Sequence, residues 1–253
     1  MKKNSDKIKK DNKKALPAFL IIILCAAVFG GVIGYFSSGI GYSETKDTII
    51  NAVMRFLQII TPYISVISIA AFVLPAFIIF RRAGKLSDSW DGEDEVIPDK
   101  IENLINRAML LINLGVLNGF LGISCLIIVN AGLGGSLIGL FTFILSETLL
   151  TVLQQRFVDL MRSINPEKQG SVYDMKFQKK WYDSCDEAEK KLIGEAAYHS
   201  FRITSNSCII MWCLTLFAHI AFGTGIFPVI AVLIITGISQ ISYIHQAIKL
   251  SRK

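Results

Sequence analysis

Long apolar runs alternate with charged segments along this chain, and the clearest pair of runs forms a hairpin between residues 108 and 153. A helix needs roughly 20 apolar residues to cross a bilayer, and six runs approach that length. The pattern predicts an all-α membrane protein with six transmembrane helices, arranged as three helical hairpins, and a helical cytoplasmic loop. The six runs are 17–36, 49–80, 108–129, 137–153, 203–222 and 228–243.

The charged segments define the domain boundaries. Residues 1–15 are predicted to be a basic cytoplasmic tail, and residues 16–253 a six-span membrane domain. This domain includes two predicted cytoplasmic loops, 81–107 and 154–202. The termini and these loops hold 24 of the 26 Lys and Arg residues, whereas the opposite side holds two. Because cytoplasmic segments of membrane proteins are enriched in Lys and Arg, both termini are predicted to be cytoplasmic.

Composition narrows the class of protein. The chain is 52% hydrophobic and 18% charged, which is too apolar for an ordinary soluble domain of 253 residues. A formal charge of +6 is compatible with nucleic-acid binding, but the cations lie between apolar spans rather than in one basic patch. We therefore expect the lipid bilayer as a partner and no nucleic acid. Another membrane or cytoplasmic protein is compatible as a further partner.

Two spans carry packing signals. Pro62 and Pro75 lie inside the second run and predict one kinked helix, since proline removes a helical hydrogen bond. The third span has small and weakly polar residues at three-and-four spacing, and this face should contact another helix. The residues on that face are Gly115, Asn118, Gly119, Gly122 and Cys125.

Glu147 is the one charged residue within the apolar spans of the 108–153 hairpin, near mid-depth of the fourth span. A charge at this depth is costly, so it should face the helix bundle and bond a polar group such as Asn118 or Gln240. Two interpretations stay open. The acid either ties helices together, or it exchanges a proton or cation with a cavity.

The longest polar loop contains an aromatic stripe, because Tyr173, Phe177 and Trp181 recur every four residues. This spacing predicts a short helix that either lies on an anionic membrane surface or packs against its own bundle. Ser184 and Glu187 then have the spacing of a capping box and predict the start of the fifth helix. The lysines interleaved with the stripe are Lys176, Lys179 and Lys180.

Motifs for catalysis and cofactor binding are not found in the sequence. It contains no phosphate-binding Gly-Lys-Ser/Thr loop, no His-Glu-x-x-His and no Gly-x-Ser-x-Gly. The five cysteines show no zinc spacing, and the three histidines fall at different predicted depths, which disfavours haem. We predict no enzymatic activity, no catalytic residue, no cofactor and no metal.

Two segments resemble a known family. The opening Asn-Lys-Lys-Ala-Leu-Pro at 12–17, and above all Ile-Asn-Pro-Glu-Lys-Gln-Gly-Ser-Val-Tyr-Asp at 164–174 with Phe-Gln-Lys-Lys-Trp at 177–181, are similar to a bacterial membrane family catalogued as domain of unknown function 3169. The resemblance spans nearly the whole chain. It implies a multi-pass protein of the bacterial cytoplasmic membrane and assigns no activity or catalytic residue.

Two functions from different classes remain. The first is a non-enzymatic interaction, accessory or protective component of the membrane that recruits a partner through residues 154–202. The alternative is a small proton- or cation-coupled transporter that uses Glu147. The first is favoured, since coupled transporters commonly carry several ionisable groups within the membrane.

Overall fold

A computed structural model describes residues 42–94, 96–129 and 132–251, and before them only single positions between 17 and 31. Every regular element in these described ranges is a helix. From Tyr42 to Ser251 the described structure has seven α-helices, with one π-helical segment between the first two. They are α1 (Tyr42–Ser68), the π segment (Ile69–Val73), α2 (Leu74–Asp88), α3 (Val96–Val129), α4 (Gly132–Ile164), α5 (Phe177–Asp183), α6 (Glu187–Phe222) and α7 (Phe227–Ser251).

Five stretches of these helices are long and apolar enough to cross a membrane, which indicates a multi-pass membrane protein. The predicted tail 1–15 and most of the predicted first span, 17–36, lie outside the described residues. The count of six spans and the arrangement as three hairpins therefore stay predictions. The five stretches are Val66–Asp88, Val96–Val129, Gly134–Ile164, Glu187–Phe222 and Phe227–Ser251.

The second predicted span is one continuous helical path with a change of helix type. The π segment directly precedes α2, and Pro75 lies in the first turn of α2. The Leu74 N–H bonds Ile69 O, five residues back rather than four. Pro75 has no backbone N–H and cannot donate a helical hydrogen bond. The π segment just before it accommodates this loss by widening the helix to five-residue hydrogen bonds. The path also begins at Tyr42, earlier than the run at 49 predicted.

The predicted turn at 130–136 is shorter in the structure. Helix α4 already begins at Gly132, so that residues 132–136 are helical. Within a membrane, backbone N–H and C=O groups lack water as a partner, which favours extending the helix at the expense of the loop. The predicted turn between the last two spans is confirmed, since Gly223 and Gly225 have φ of 65° and 81° there.

The chain divides into two compact units, residues 51–194 and the remaining ends. The core of the 51–194 unit lies where α2, α3 and α4 meet. Ala76, Ala83 and Ala108 are fully buried there and let the helices approach closely. Phe80 and Phe157 meet edge to face, with ring centroids 5.4 Å apart.

The second unit contains residues 42–50, most of α6 and all of α7 among the described residues. Within it, Phe201 of α6 stacks on Tyr243 of α7 with ring centroids 4.6 Å apart and planes 16° from parallel. This aromatic pair joins the two helices well away from the turn that connects Phe222 to Phe227.

Candidate functional site

The small face of α3 contacts three neighbouring segments. A Cβ added at Gly115 would meet both Phe72 of the π segment and Leu150 of α4 at 2.9 Å. One added at Gly122 would meet Ile64 of α1 at 3.0 Å. The predicted helix contact at this face is therefore confirmed, and the absence of side chains at these glycines is what permits it.

Glu147 of α4 points at this same face. A Cβ at Gly119 would overlap Oε1 of Glu147, so the carboxyl group occupies the space that a side chain at 119 would need. Oε1 is buried and has no hydrogen-bond partner among the described residues. Glu147 thus packs against the α3 backbone instead of pointing away into lipid.

Asn118 lies beside Gly119 in sequence, but its amide has another partner. Its Nδ2 donates to Ile64 O of α1 at 3.1 Å. In return, the fully buried Ser68 donates its hydroxyl to Gly115 O at 3.3 Å. These two bonds run in opposite directions and join α1 to α3.

Gln240, the other candidate partner of Glu147, lies in another part of the chain. Gln240 is on α7, in the second unit, and its side chain is exposed. A bond between Glu147 and either amide therefore stays a prediction.

A cavity of about 300 Å³ lies among α1, α3 and α4, on the side of Glu147 that faces the α3–α4 turn. Its walls are mostly apolar, with the polar groups of Gln58, Thr61 and Thr142 among them. The cavity is wide enough for a small molecule, but its polar groups carry no charge.

The second site lies at the other end of α4, in residues 165–186, which we call the loop segment. After α4 ends, the chain turns at Gly170, whose φ is 126°. A Cβ at Gly170 would meet the Phe177 ring at 2.9 Å, so glycine serves both the turn and the packing.

A single glutamine of α4 holds the returning chain. Oε1 of Gln155 accepts the Ser171 hydroxyl at 2.9 Å and the Val172 N–H at 2.6 Å. Its Nε2 donates to Asp159 at 2.8 Å, and the side chain is 8% exposed. Because Gln155 lies nine residues before the end of α4, the loop segment folds back roughly 13 Å along the helix.

Lys168 fixes the loop segment to the start of α6. It is only 3% exposed, and its ammonium group bonds Glu189 directly and lies 3.5 Å from the Cys185 sulfur. Burial by itself would lower the pKa of Lys168, but the hydrogen bond and attraction of Glu189 outweigh it, and the net pKa is raised. Lys168 therefore stays charged, with its ammonium 5.7 Å from the centroid of the Trp181 ring.

Helix α6 begins with a capping box, two residues later than predicted. The Glu189 N–H donates to Asp186 Oδ1 at 2.7 Å, and the Asp186 N–H donates to Glu189 Oε2 at 3.1 Å. The predicted cap, Ser184, instead accepts the Gln169 N–H at 3.1 Å. Both residue pairs have capping-box spacing, and Glu189 gains Lys168 as a second partner only in the later register.

The predicted aromatic stripe separates into two parts. Phe177 and Trp181 lie in α5 with ring centroids 5.7 Å apart, and both face the bundle. Tyr173 precedes the helix and is 65% exposed. The helix therefore begins too late to include the whole stripe, which ends the idea of one continuous aromatic face.

The lysines of this region stay on the surface. Lys176, Lys179 and Lys180 are all exposed. Lys180 pairs with Asp174 at 2.5 Å, and this hydrogen bond lowers the pKa of Asp174. Lys176 and Lys179 are exposed and form no ion pair among the described residues.

A cleft of about 370 Å³ opens between α3, α4, α5 and the start of α6. Apolar residues form most of its wall, and polar side chains lie along it. No group of three His, Cys, Asp or Glu residues suited to a metal occurs in the described part of the chain. The polar residues of the wall are Glu102, Asn106, Gln154, Lys168 and Glu189.

Sequence reasoning did not identify Gln155, Lys168 or Glu189 as site residues. Gln155 follows another glutamine and precedes an arginine, which is typical of a helix leaving the membrane. Lys168 and Glu189 are 21 residues apart, with no local pattern joining them. The only local signal was Gly170, in a segment otherwise rich in polar residues.

Comparison with known protein families identifies a match. The family described as Protein of unknown function (DUF3169) matches residues 10–248. No curated protein and no solved structure matches the chain.

Proposed function

The chain belongs to the DUF3169 family, and we propose that it is a non-enzymatic interaction, accessory or protective component of the bacterial cytoplasmic membrane. In this proposal the chain has six spans, both termini are cytoplasmic, and the working surface is the loop 154–202. The folded loop segment is the central part of that surface.

The internal fastening of the loop segment carries the proposal. Two buried polar side chains, Gln155 and Lys168, hold it at separate points against α4 and α6. A connector between two spans needs no such fastening, and long ordered loops commonly serve binding. A fixed segment presents its exposed side chains in one arrangement, which lowers the entropy cost of binding a partner.

The distribution of Lys and Arg supports the cytoplasmic side for the loop segment. Lys and Arg are concentrated in the loops that this topology places in the cytoplasm, where positively charged segments are favoured. A cytoplasmic position makes the loop segment available to proteins of the cell interior.

Photo-crosslinking in living cells tests the proposal. A photoreactive amino acid at Gln178, an exposed position of α5, should give a discrete adduct of higher mass. The matched control is the same amino acid at Ser89, which is exposed in the other predicted cytoplasmic loop and should give none. Lack of an adduct at 178, or the same adduct at both positions, would count against a docking role for the loop segment.

The second candidate, a small proton- or cation-coupled transporter, is favoured by one observation. Glu147 has a buried carboxyl oxygen without a hydrogen-bond partner in the described structure, and an unpaired acid at this depth is available for proton exchange. Proton flux into liposomes containing the purified chain tests it. Flux that depends on the chain and is lost in Glu147→Gln would support transport, whereas equal flux with and without the protein would remove this candidate.

A further inference from the structure

The depth of the loop segment relative to the fourth span carries an inference about its partner. The apolar run of α4 ends at Leu153, and Arg156 follows soon after, so this part of the helix marks the boundary of the hydrocarbon region. The bonds from Ser171 and Val172 to Gln155 bring the loop segment back to this boundary. The residues that follow Val172 therefore lie at headgroup level, not deep in the cytoplasm.

Two apolar side chains protrude at this level. Met175 is completely exposed, and Tyr173 is 65% exposed, although the inner side of the same segment is packed. Exposing these side chains to water is unfavourable, whereas the bilayer interface accommodates both residue types. Tyrosine places its ring in the apolar zone and its hydroxyl in water, and methionine is flexible enough to enter irregular lipid.

Cations flank these two residues. Lys176 and Lys179 are exposed, and no ion pair of theirs is found in the described structure. The nearby acid, Asp174, is already paired with Lys180. The surface around Met175 therefore carries a net positive charge that complements an anionic leaflet.

We propose that Tyr173, Met175, Lys176 and Lys179, which we call the lipid-facing turn, rest on the anionic headgroups of the cytoplasmic leaflet. Tyr173 and Met175 enter the interface, while Lys176 and Lys179 bind lipid phosphates. Phe177 and Trp181, on the other side of α5, hold the turn to the helix bundle. The inference rests on the proposed function only for the cytoplasmic position of the loop segment.

Lipid is favoured over a protein as the occupant because of the boundary position. Gln155 places the turn beside the end of a transmembrane helix, where headgroups are present in any bilayer. A cytoplasmic protein would have to displace those headgroups to reach Met175. Gln178 is exposed on the same helix and remains a position from which to detect a protein partner.

Fluorescence of the full-length protein in lipid nanodiscs tests the proposal. An environment-sensitive fluorescent amino acid replaces Met175, and the discs contain either phosphatidylcholine alone or phosphatidylcholine with anionic phosphatidylglycerol. Quenching by brominated lipid should be about twofold stronger in the anionic discs. The double variant Lys176→Gln, Lys179→Gln should lose most of this difference, because it removes the two unpaired cations.

Gln169 provides the matched control position. It is exposed, and its backbone N–H donates to the Ser184 hydroxyl rather than to a residue of the lipid-facing turn, so we expect a probe there to be insensitive to lipid composition. Equal quenching at 175 and 169, in both lipid mixtures, would overturn the proposal. Equal quenching at 175 and 169 together with a protein adduct at 178 would assign the loop segment to a protein partner instead. The proposed function would then still hold.

Discussion

The backbone N–H of Val172 donates to Oε1 of Gln155 at 2.6 Å, although 17 residues and the end of α4 separate the two positions. This bond and the Ser171 bond to the same oxygen fix the height of the loop segment beside α4. A fixed interaction surface on the loop segment requires these two bonds.

Replacing Gln155 by Met keeps the volume of the side chain and removes its acceptor. The Val172 N–H then loses its partner, and we expect the loop segment to be destabilised by about 1–3 kcal/mol. Hydrogen–deuterium exchange should become faster in the loop segment, with little change in α3. The exposed Gln178→Met is the control, and similar exchange in both variants would show that Gln155 does not hold the loop.

Replacing Lys168 by Met removes the charge that pairs with Glu189. The hydrogen bond is charge-assisted, but Glu189 is partly exposed, so we expect a cost of about 1–2 kcal/mol. Exchange should increase at the start of α6 and in the loop segment. A second variant, Lys168→Arg, keeps the charge and should lose less stability than Lys168→Met. Equal losses of stability in the two variants would indicate that Lys168 acts only through packing.

The pH dependence of this pair follows from the raised pKa of Lys168. A lysine whose pKa is higher in the folded state stabilises it fully below the unfolded value of 10.5. That contribution is lost as the pH rises through the folded pKa. Between pH 7 and 9, loop exchange corrected for its intrinsic pH dependence should be constant in the wild type. A loss of protection within this range would mean that Lys168 is deprotonated earlier than its partners predict.

Gly119 and Glu147 should be coupled. Gly119→Ala places a methyl group where the Glu147 carboxyl lies, and we expect a loss of about 1–3 kcal/mol in the free energy of unfolding. Combining it with Glu147→Ala should recover part of the lost free energy of unfolding, because the space is then vacant. Unfolding in mixed detergent measures both.

Gly237→Ala is the matched control for this pair. Among the described residues, nothing beyond its own helical backbone and chain neighbours lies within 4 Å of the Cβ position at Gly237, so alanine there should be neutral or stabilising. Purely additive effects of Gly119→Ala and Glu147→Ala would contradict the contact between the two residues.

The helical spans and the small face of α3 were predictable because both depend on local sequence. Apolar run length determines which segments can cross a bilayer, and Gly115, Gly119 and Gly122 repeat at helical spacing. An irregularity near Pro75 was expected from its missing N–H, and the structure has a π-helical segment there. These features require no knowledge of which distant segments meet.

The details of the candidate sites were not predictable in the same way. Two capping boxes, beginning at Ser184 and Asp186, have equal spacing, and the contact of Glu189 with Lys168 distinguishes them only in three dimensions. Asn118 had two chemically suitable partners, a carboxyl and a backbone carbonyl, and the structure gives it Ile64 O. Gln155 acts on a segment that the chain reaches only after a turn at Gly170.

The most direct test of the account is the side of the membrane on which the loop segment lies. A cysteine introduced at the exposed Gln178 should be protected from an impermeant maleimide in intact cells and should react in inverted membrane vesicles. Thr224→Cys, in the exposed turn between α6 and α7, should behave in the opposite way. The wild-type chain serves as the blank for its native cysteines. Reaction at 178 in intact cells, with protection at 224, would contradict both the proposed cytoplasmic interaction surface and its contact with the cytoplasmic leaflet.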